Sequence, residues 1–145
     1  MFNQAISKIY FMSYRNQFTA HTQLRLSPFF ERTSKLNESQ EWRRWSGYLS
    51  ATNYELSHEN EYFSIRTKAA LLDITPLYKY IIEGPDAQRF LDRLVTRNIM
   101  ICKVGQVMYT PWCDENGKQI DDGTVQRLTE QKFRITSAEP NLEWI

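Results

Sequence analysis

The acidic pair Asp121-Asp122 holds the residues of this sequence that are best suited to chemistry. The pair falls within residues 120–128, which are a predicted strand. Neighbouring side chains in a strand point to opposite faces, so one carboxylate should face solvent and the other the covered side of the sheet or a cleft. A carboxylate with donors around it can orient a bound amine or take part in proton transfer. The alternative is an acidic pair that only keeps a hairpin soluble.

Other residue types that form catalytic or metal sites occur here without partners. His21 and His58 have no cysteine or acidic residue at a metal-ligand spacing, so no metal site is predicted. Cys102 and Cys113 form neither a metal pattern nor a disulfide framework, which makes a reducing compartment the default. The 5 glycines form no dinucleotide- or phosphate-binding loop.

Composition places the chain among globular domains. Its 145 residues suffice for one domain, and 41% of them are apolar and 24% charged. The formal net charge of +1 does not favour nucleic acid, which would need a local basic patch. No stretch approaches the roughly 18–20 consecutive apolar residues of a membrane span. We therefore expect neither a nucleic-acid nor a membrane partner.

Residues 1–27 read as an N-terminal extension. No Asp or Glu precedes Glu31, and the segment contains Lys8, Arg15 and Arg25 among serines. It lacks the apolar region of a secretory signal, but its composition is also that of organelle transit peptides. The two alternatives are an ordinary extension of a cytoplasmic protein and a transit peptide that directs the protein to the mitochondrial matrix.

The following segments predict an extended entry, an aromatic segment and a helix. Pro28 to Leu36 is expected to be extended. Aromatic residues crowd Glu41 to Tyr54, which predicts a loop or short helix docked by its rings, either as core or as a ligand cage. Glu55 to Leu72 is a predicted helix. Its apolar residues share one face at helical spacing: Tyr62, Ile65, Ala69 and Leu72.

The remainder of the chain predicts strands around one helix. Tyr78 to Glu83 is a predicted strand, and Gly84-Pro85-Asp86 should open an amphipathic helix. Three further strands are predicted: Gln106 to Trp112, Ile120 to Leu128 and Phe133 to Thr136. Asn116-Gly117 is a hairpin signal between the first two. Another helix should begin at Glu139-Pro140. This order predicts an α+β fold with an antiparallel hairpin at its centre.

Short motifs also follow one another in a fixed order along the chain. They are Ala70-Leu71-Leu72-Asp73-Ile74, Gly84-Pro85-Asp86-Ala87, Thr96-Arg97-Asn98, Gly105-Gln106, Tyr109-Thr110, Glu115-Asn116-Gly117 and Ile120-Asp121-Asp122. In this order and spacing the sequence resembles the N-terminal part of the glycine-cleavage T-protein (aminomethyltransferase) family, which includes tetrahydrofolate-dependent demethylases. Each motif alone is weak, and the ordered set carries the resemblance.

The resemblance implies a fold class and a division of the chain. The fold would be α+β, with a ferredoxin-like strand-helix-strand-strand unit inserted in the start of a discontinuous folate-binding domain. Residues 28–75 would be the start of that domain. Residues 76–145 would be the α+β unit, incomplete at its C-terminus. Full family members are longer, so we expect a truncated chain whose partners include the missing C-terminal domains.

The resemblance also implies tetrahydrofolate as the cofactor and assigns site residues. Asp122, the second acid of the family's pair, would lie beside the folate as the catalytic residue that orients and polarises the reacting amine. The folate-binding positions would be Leu77, Tyr109, Asp122, Thr124, Ile135 and Ser137.

Departures from the family pattern point away from a strict glycine-cleavage enzyme. The family's Asp-Val-Ser-His-Met reads Asp73-Ile74-Thr75-Pro76-Leu77 here, and Gln126 replaces a tyrosine. We therefore expect an aminomethyl- or methyltransferase that moves a one-carbon unit from a small-molecule donor to tetrahydrofolate. The alternatives are a non-catalytic folate-binding protein of the same fold, like the iron–sulfur-assembly relatives, and an inactive fragment.

Overall fold

The computed structural model describes the backbone of Lys8–Phe11 and all of residues 24–145. The chain divides into two compact units, one of Met1–Asn16 with Leu77–Ile145 and the other of Gln17–Pro76. The expected division into residues 1–27, 28–75 and 76–145 stays a prediction, and most of the first segment lies outside the described residues.

The described elements, in chain order, are β1 (Lys8–Phe11), α1 (Phe30–Thr33), β2 (Trp42–Trp45), β3 (Tyr48–Ala51), α2 (Glu59–Thr67), β4 (Tyr78–Glu83), α3 (Ala87–Leu94), β5 (Val107–Cys113), β6 (Gln119–Thr129) and β7 (Lys132–Ser137). Short 3-10 turns occupy Ser34–Leu36 and Ile99–Ile101. One antiparallel sheet has the strand order β1-β4-β7-β6-β5, and β2 pairs with β3 separately. The α+β class is confirmed.

In the unit that ends at Pro76, a hairpin replaces the loop or short helix expected around Gly47. Strands β2 and β3 pair directly, and Ser46 and Gly47 between them both have positive φ, at 45° and 81°. Two positive-φ residues form the tight turn that matches strand twist, and Ser-Gly is a weaker signal for it than Asn-Gly. Arg25 lies alongside, donating to Gly47 O at 2.9 Å and accepting from Leu49 N at 2.8 Å.

The expected extended entry at Pro28 is also wrong, because the chain turns there into α1. The Ser27 hydroxyl accepts the N–H of Phe29 at 3.2 Å, and the Ser27 carbonyl accepts the N–H of Phe30 at 3.0 Å. A serine that bonds the backbone two residues on starts a turn, and proline suits the first turn of a helix.

Helix α2 is shorter than expected and its apolar residues are not buried. It begins at Glu59 and ends at Thr67, and Tyr62 and Ile65 on the expected inner face are 52% and 66% exposed. The carboxylate of Glu61, in the first turn of the helix, accepts the N–H of Tyr54 at 2.5 Å. The spacing of apolar residues therefore predicted the helix correctly but did not predict that its apolar face is exposed.

In the larger unit, α3 and the loop after it cover one face of the sheet and form the core. Helix α3 follows Gly84-Pro85-Asp86 as expected. The core cluster consists of Tyr80, Ile82, Ala87, Leu91, Val95, Ile99, Cys102, Met108, Trp112, Val125, Phe133 and Ile135. On the opposite face Ile81 of β4 is buried whereas Tyr109 of β5 is exposed. The accessible part of that face therefore lies at β5 and β6.

The turns of the larger unit differ from expectation in two places. The β5–β6 hairpin is present, but its loop spans residues 114–118, and only Gly117 within it has positive φ, at 77°. The carboxylate of Asp114 accepts the N–H groups of Asn116 and Lys118 and organises this longer loop. Instead of a helix after Glu139, a single turn forms, in which the Asn141 carbonyl accepts the N–H groups of residues 144 and 145.

Candidate functional site

The two carboxylates of the acidic pair lie on opposite faces of the sheet, as the sequence predicts. Asp121 pairs with Trp112 on the core face and is 9% exposed. Asp122 pairs with Pro111 and faces the other side, where it is half-buried. We call that side, which also carries Tyr109 and Thr124, the Asp122 face.

The Asp122 carboxylate is held by a donor at each oxygen. The Tyr109 hydroxyl donates to Oδ2 at 2.8 Å, and the Gln119 amide donates to Oδ1 at 3.3 Å. The hydrogen bond to Asp122 is the main cause that raises the pKa of Tyr109. The phenol therefore stays protonated at neutral pH and keeps the carboxylate in place.

Gln119 was missed because strand alternation places residues three apart on opposite faces. The register of β5 against β6 shifts at this point: Trp112 pairs with Asp121 but Cys113 pairs with Gln119. The extra residue, Ile120, is a bulge, and a bulge re-aims the side chains beyond it. The Asn-Gly signal nearby indicated a hairpin, but nothing in the sequence indicated this register shift.

Strand register extends the Asp122 face across the sheet. Thr124 pairs with Tyr109 of β5 on one side and with Thr136 of β7 on the other. In the next row Gln126 pairs with Arg134, which donates a hydrogen bond to its side-chain oxygen. Paired residues in antiparallel strands share a face. The structure therefore brings together three of the expected site residues, Tyr109, Asp122 and Thr124.

Two other expected folate-binding residues, Ile135 and Ser137, lie on the core face. They are 1% and 2% exposed, and Ser137 donates to the carbonyl of Glu139 at 3.0 Å. A shift of one residue along a strand moves a side chain to the other face. Ile135 and Ser137 therefore do not share the Asp122 face, and their assignment as folate-binding residues stays a prediction. Thr136 and Arg134 are the β7 residues on that surface.

Leu77, the remaining expected folate-binding position, is half-buried directly before β4. Its carbonyl accepts the Lys79 ammonium at 2.7 Å. Strand β7 lies between β4 and β6 in the sheet. Leu77, directly before β4, is therefore two strands away from Asp122 in β6. Its assignment stays a prediction.

A second polar cluster lies on the core side, behind the Asp122 face. The Tyr80 hydroxyl accepts the backbone N–H of Asn141 at 2.7 Å and donates to the Glu139 carbonyl at 3.3 Å. Burial is the main cause that raises the pKa of Tyr80. This cluster fixes the segment that follows β7.

The side chains on the Asp122 face suit a reduced pterin. A carboxylate accepts ring N–H groups, threonine hydroxyls both donate and accept, and an exposed tyrosine ring offers a stacking surface. In residues 8–11 and 24–145 no group of three His, Cys, Asp or Glu side chains could hold a metal ion. His58 is exposed before α2, and His21 lies outside the described residues. Among those same residues no helix is long and apolar enough to cross a membrane.

The sequence of this chain is similar to those of known proteins. Residues 29–145 match the family described as the GCVT N-terminal domain. The aminomethyltransferase of Halothermothrix orenii is 31% identical over 121 residues, which are 83% of this chain and 33% of that protein. The trimethylamine-oxide aldolase of Ruegeria pomeroyi is 42% identical over 86 residues, 59% of this chain and 11% of that protein.

This chain is also similar in fold to a solved structure. The crystal structure of glycine cleavage system aminomethyltransferase T from Bartonella henselae matches 84% of this chain with a TM-score of 0.71 and 25% identity, and the match covers 33% of that chain. This chain thus spans a third or less of the length of these relatives. Because the family match runs over residues 29–145, the protein belongs to the glycine-cleavage T-protein family and corresponds to its N-terminal portion.

Proposed function

We propose that this protein supplies the folate-contacting sheet of a tetrahydrofolate-dependent one-carbon transferase. The observation that carries the proposal is the Asp122 carboxylate, half-buried and held at both oxygens beside an exposed Tyr109. A surface that only needed solubility would not require an acid fixed in one orientation. Family membership supports the folate part of the proposal.

In this proposal Asp122 acts on the bound reactants through charge and hydrogen bonding. Its carboxylate accepts an N–H group of the donor amine or of the pterin and favours positive charge that develops on that nitrogen. Tyr109 and Gln119 keep the carboxylate from rotating away. Thr124 and Thr136 offer hydroxyls one residue pair away. Tetrahydrofolate, when bound, supplies the nitrogen that receives the one-carbon unit.

We propose a donor in which the one-carbon group is attached to nitrogen. The names of two relatives, aminomethyltransferase and trimethylamine-oxide aldolase, both refer to such nitrogen compounds. A cationic or hydrogen-bonding amine also complements the Asp122 carboxylate in charge.

The test measures tetrahydrofolate binding and turnover with Asp122→Asn and a control, Asp114→Asn. Asp114 is also a carboxylate that accepts backbone N–H groups, but it lies in the hairpin loop. Tetrahydrofolate should raise the thermal midpoint of the unaltered protein, with the logarithm of the ligand excess over the dissociation constant. Asp122→Asn should change that shift little and should lower turnover by about 10²-fold or more. Asp114→Asn should leave both unchanged.

Two results would contradict parts of the proposal. A midpoint that millimolar tetrahydrofolate does not move would remove the folate function. Binding without turnover of any N-methyl or aminomethyl donor would favour the alternative of a folate-binding protein that is not an enzyme.

A further inference from the structure

Asp121, on the core face, is a buried carboxylate with an unusual set of partners. Its Oδ1 accepts the backbone N–H of Asp122 at 2.8 Å. Its Oδ2 accepts the side-chain amide of Asn141 at 2.6 Å and the backbone N–H of Glu139 at 3.2 Å. A buried carboxylate is costly without donors, and these three N–H groups compensate it without a cation.

The backbone of Asp122 lies where the strand ladder gives little support. Pairing of β6 with β7 ends at Gly123 and Ser137, so Asp122 has no partner in β7. Its partner in β5 is Pro111, whose carbonyl accepts the N–H of Thr96 at 3.1 Å. A longer β7 would pair with the backbone of Asp122. Here the Asp121 carboxylate binds the Asp122 N–H instead.

The segment after β7, residues 139–141, is itself anchored to the core. Besides its bond to Asp121, Asn141 donates its backbone N–H to the Tyr80 hydroxyl at 2.7 Å. The Asn141 side chain also donates to the Glu139 carbonyl at 3.1 Å. One carboxylate thus joins an anchored segment to the strand residue that carries the proposed catalytic group.

We propose that Asp121 is a positioning residue, which links the segment after β7 to the backbone of Asp122 and so fixes the Asp122 carboxylate against Tyr109. Its importance for the reaction rests on the proposed function. The link itself belongs to this chain alone and can be tested without folate or a donor.

The Tyr109 phenol is a direct reporter of the link. The hydrogen bond to Asp122 raises its pKa, and Asp121 is not among the groups that do so. Asp121→Asn replaces one of the two acceptor oxygens with an NH₂ donor. It should therefore weaken the link that holds the backbone of Asp122. The pKa of Tyr109, followed by ¹³C NMR of labelled tyrosine and assigned with Tyr109→Phe, should then fall toward 10.0. Hydrogen exchange of the Asp122 amide should accelerate on the order of tenfold, because one charge-assisted hydrogen bond is lost.

Two further variants make the result decisive. Asn141→Ala removes the shorter of the two hydrogen bonds between Asp121 and the segment after β7 without changing charge, so it should lower the pKa of Tyr109 in the same direction. Asp114→Asn removes a carboxylate from the nearby loop and should leave it unchanged. An unaltered Tyr109 pKa in folded Asp121→Asn would overturn the proposal. If that variant does not fold, an unaltered value in Asn141→Ala would do the same. Because no folate is added, failure of tetrahydrofolate binding would defeat the proposed function without affecting this result.

Discussion

Gly123, directly after the acidic pair, lets two strands approach closely behind the candidate site. A Cβ atom at this position would lie 2.0 Å from the carbonyl oxygen of Thr136 and 3.3 Å from Cα of Ser137. Both neighbours are backbone atoms, which cannot rotate away. The glycine is therefore required by the position of β7 relative to β6, and not by its own φ angle.

We predict that Gly123→Ala lowers the free energy of unfolding by about 3 kcal/mol, at the upper end of overpacking effects, because the strands must separate. The control is Gly105→Ala, where nothing lies within 4 Å but φ is 83°. Left-handed backbone strain should cost that variant about 1–2 kcal/mol. Urea unfolding measures both. Equal stability of Gly123→Ala and the unaltered protein would contradict this close approach.

Tyr80 predicts how stability responds to alkaline pH. Its folded-state pKa is raised, chiefly by burial, so the unfolded chain releases the phenol proton first as pH rises. The contribution of the neutral phenol is fully present below pH about 10 and is lost as pH increases through the raised value. Urea midpoints measured from neutral into increasingly alkaline pH should therefore fall more steeply in the unaltered protein than in Tyr80→Phe. A steeper fall in Tyr80→Phe would contradict the sign.

At the scale of elements, α2 and α3 show what periodicity can predict. Both helices were predicted from apolar spacing, and α3 also from Gly84-Pro85-Asp86. Only α3 has the expected buried face, with Leu91 inaccessible to solvent, whereas Ile65 of α2 is 66% exposed. Spacing defines which residues share a face, but burial depends on neighbours that lie far away in the sequence. The β2–β3 hairpin was missed for a different reason: Ser-Gly is a weak turn signal.

The contrast between the two helices predicts unequal effects of similar substitutions. Leu91→Ala should lower the free energy of unfolding by about 2–5 kcal/mol, because it leaves a cavity in the core. Ile65→Ala should change it by less than about 0.5 kcal/mol, as is usual for exposed positions. Chemical denaturation of both variants gives the comparison. A large loss in Ile65→Ala would show that the apolar face of α2 is buried after all.

At the scale of the whole molecule, the family and the acidic pair were predictable, and the register of the sheet was not. Ordered motifs identified the family and assigned Tyr109, Asp122 and Thr124, which the strand register brings onto one surface. Ile135 and Ser137 lie on the core face, since a position one residue away from Thr136 along β7 faces the other side. Gln119 could not be found, because the bulge that turns it toward Asp122 has no sequence signature.

We propose the Asp122 face as the surface that contacts folate. The most direct test is a tetrahydrofolate titration of protein with ¹³C-labelled threonine and isoleucine methyl groups, observed by NMR. Thr124 and Thr136 lie on the Asp122 face, whereas Ile135, next to Thr136 in β7 and paired with Val125, lies on the core face. We predict saturable shifts of the Thr124 and Thr136 methyl signals with little change at Ile135. Saturable binding that shifts Ile135 and leaves both threonines unchanged would contradict the account.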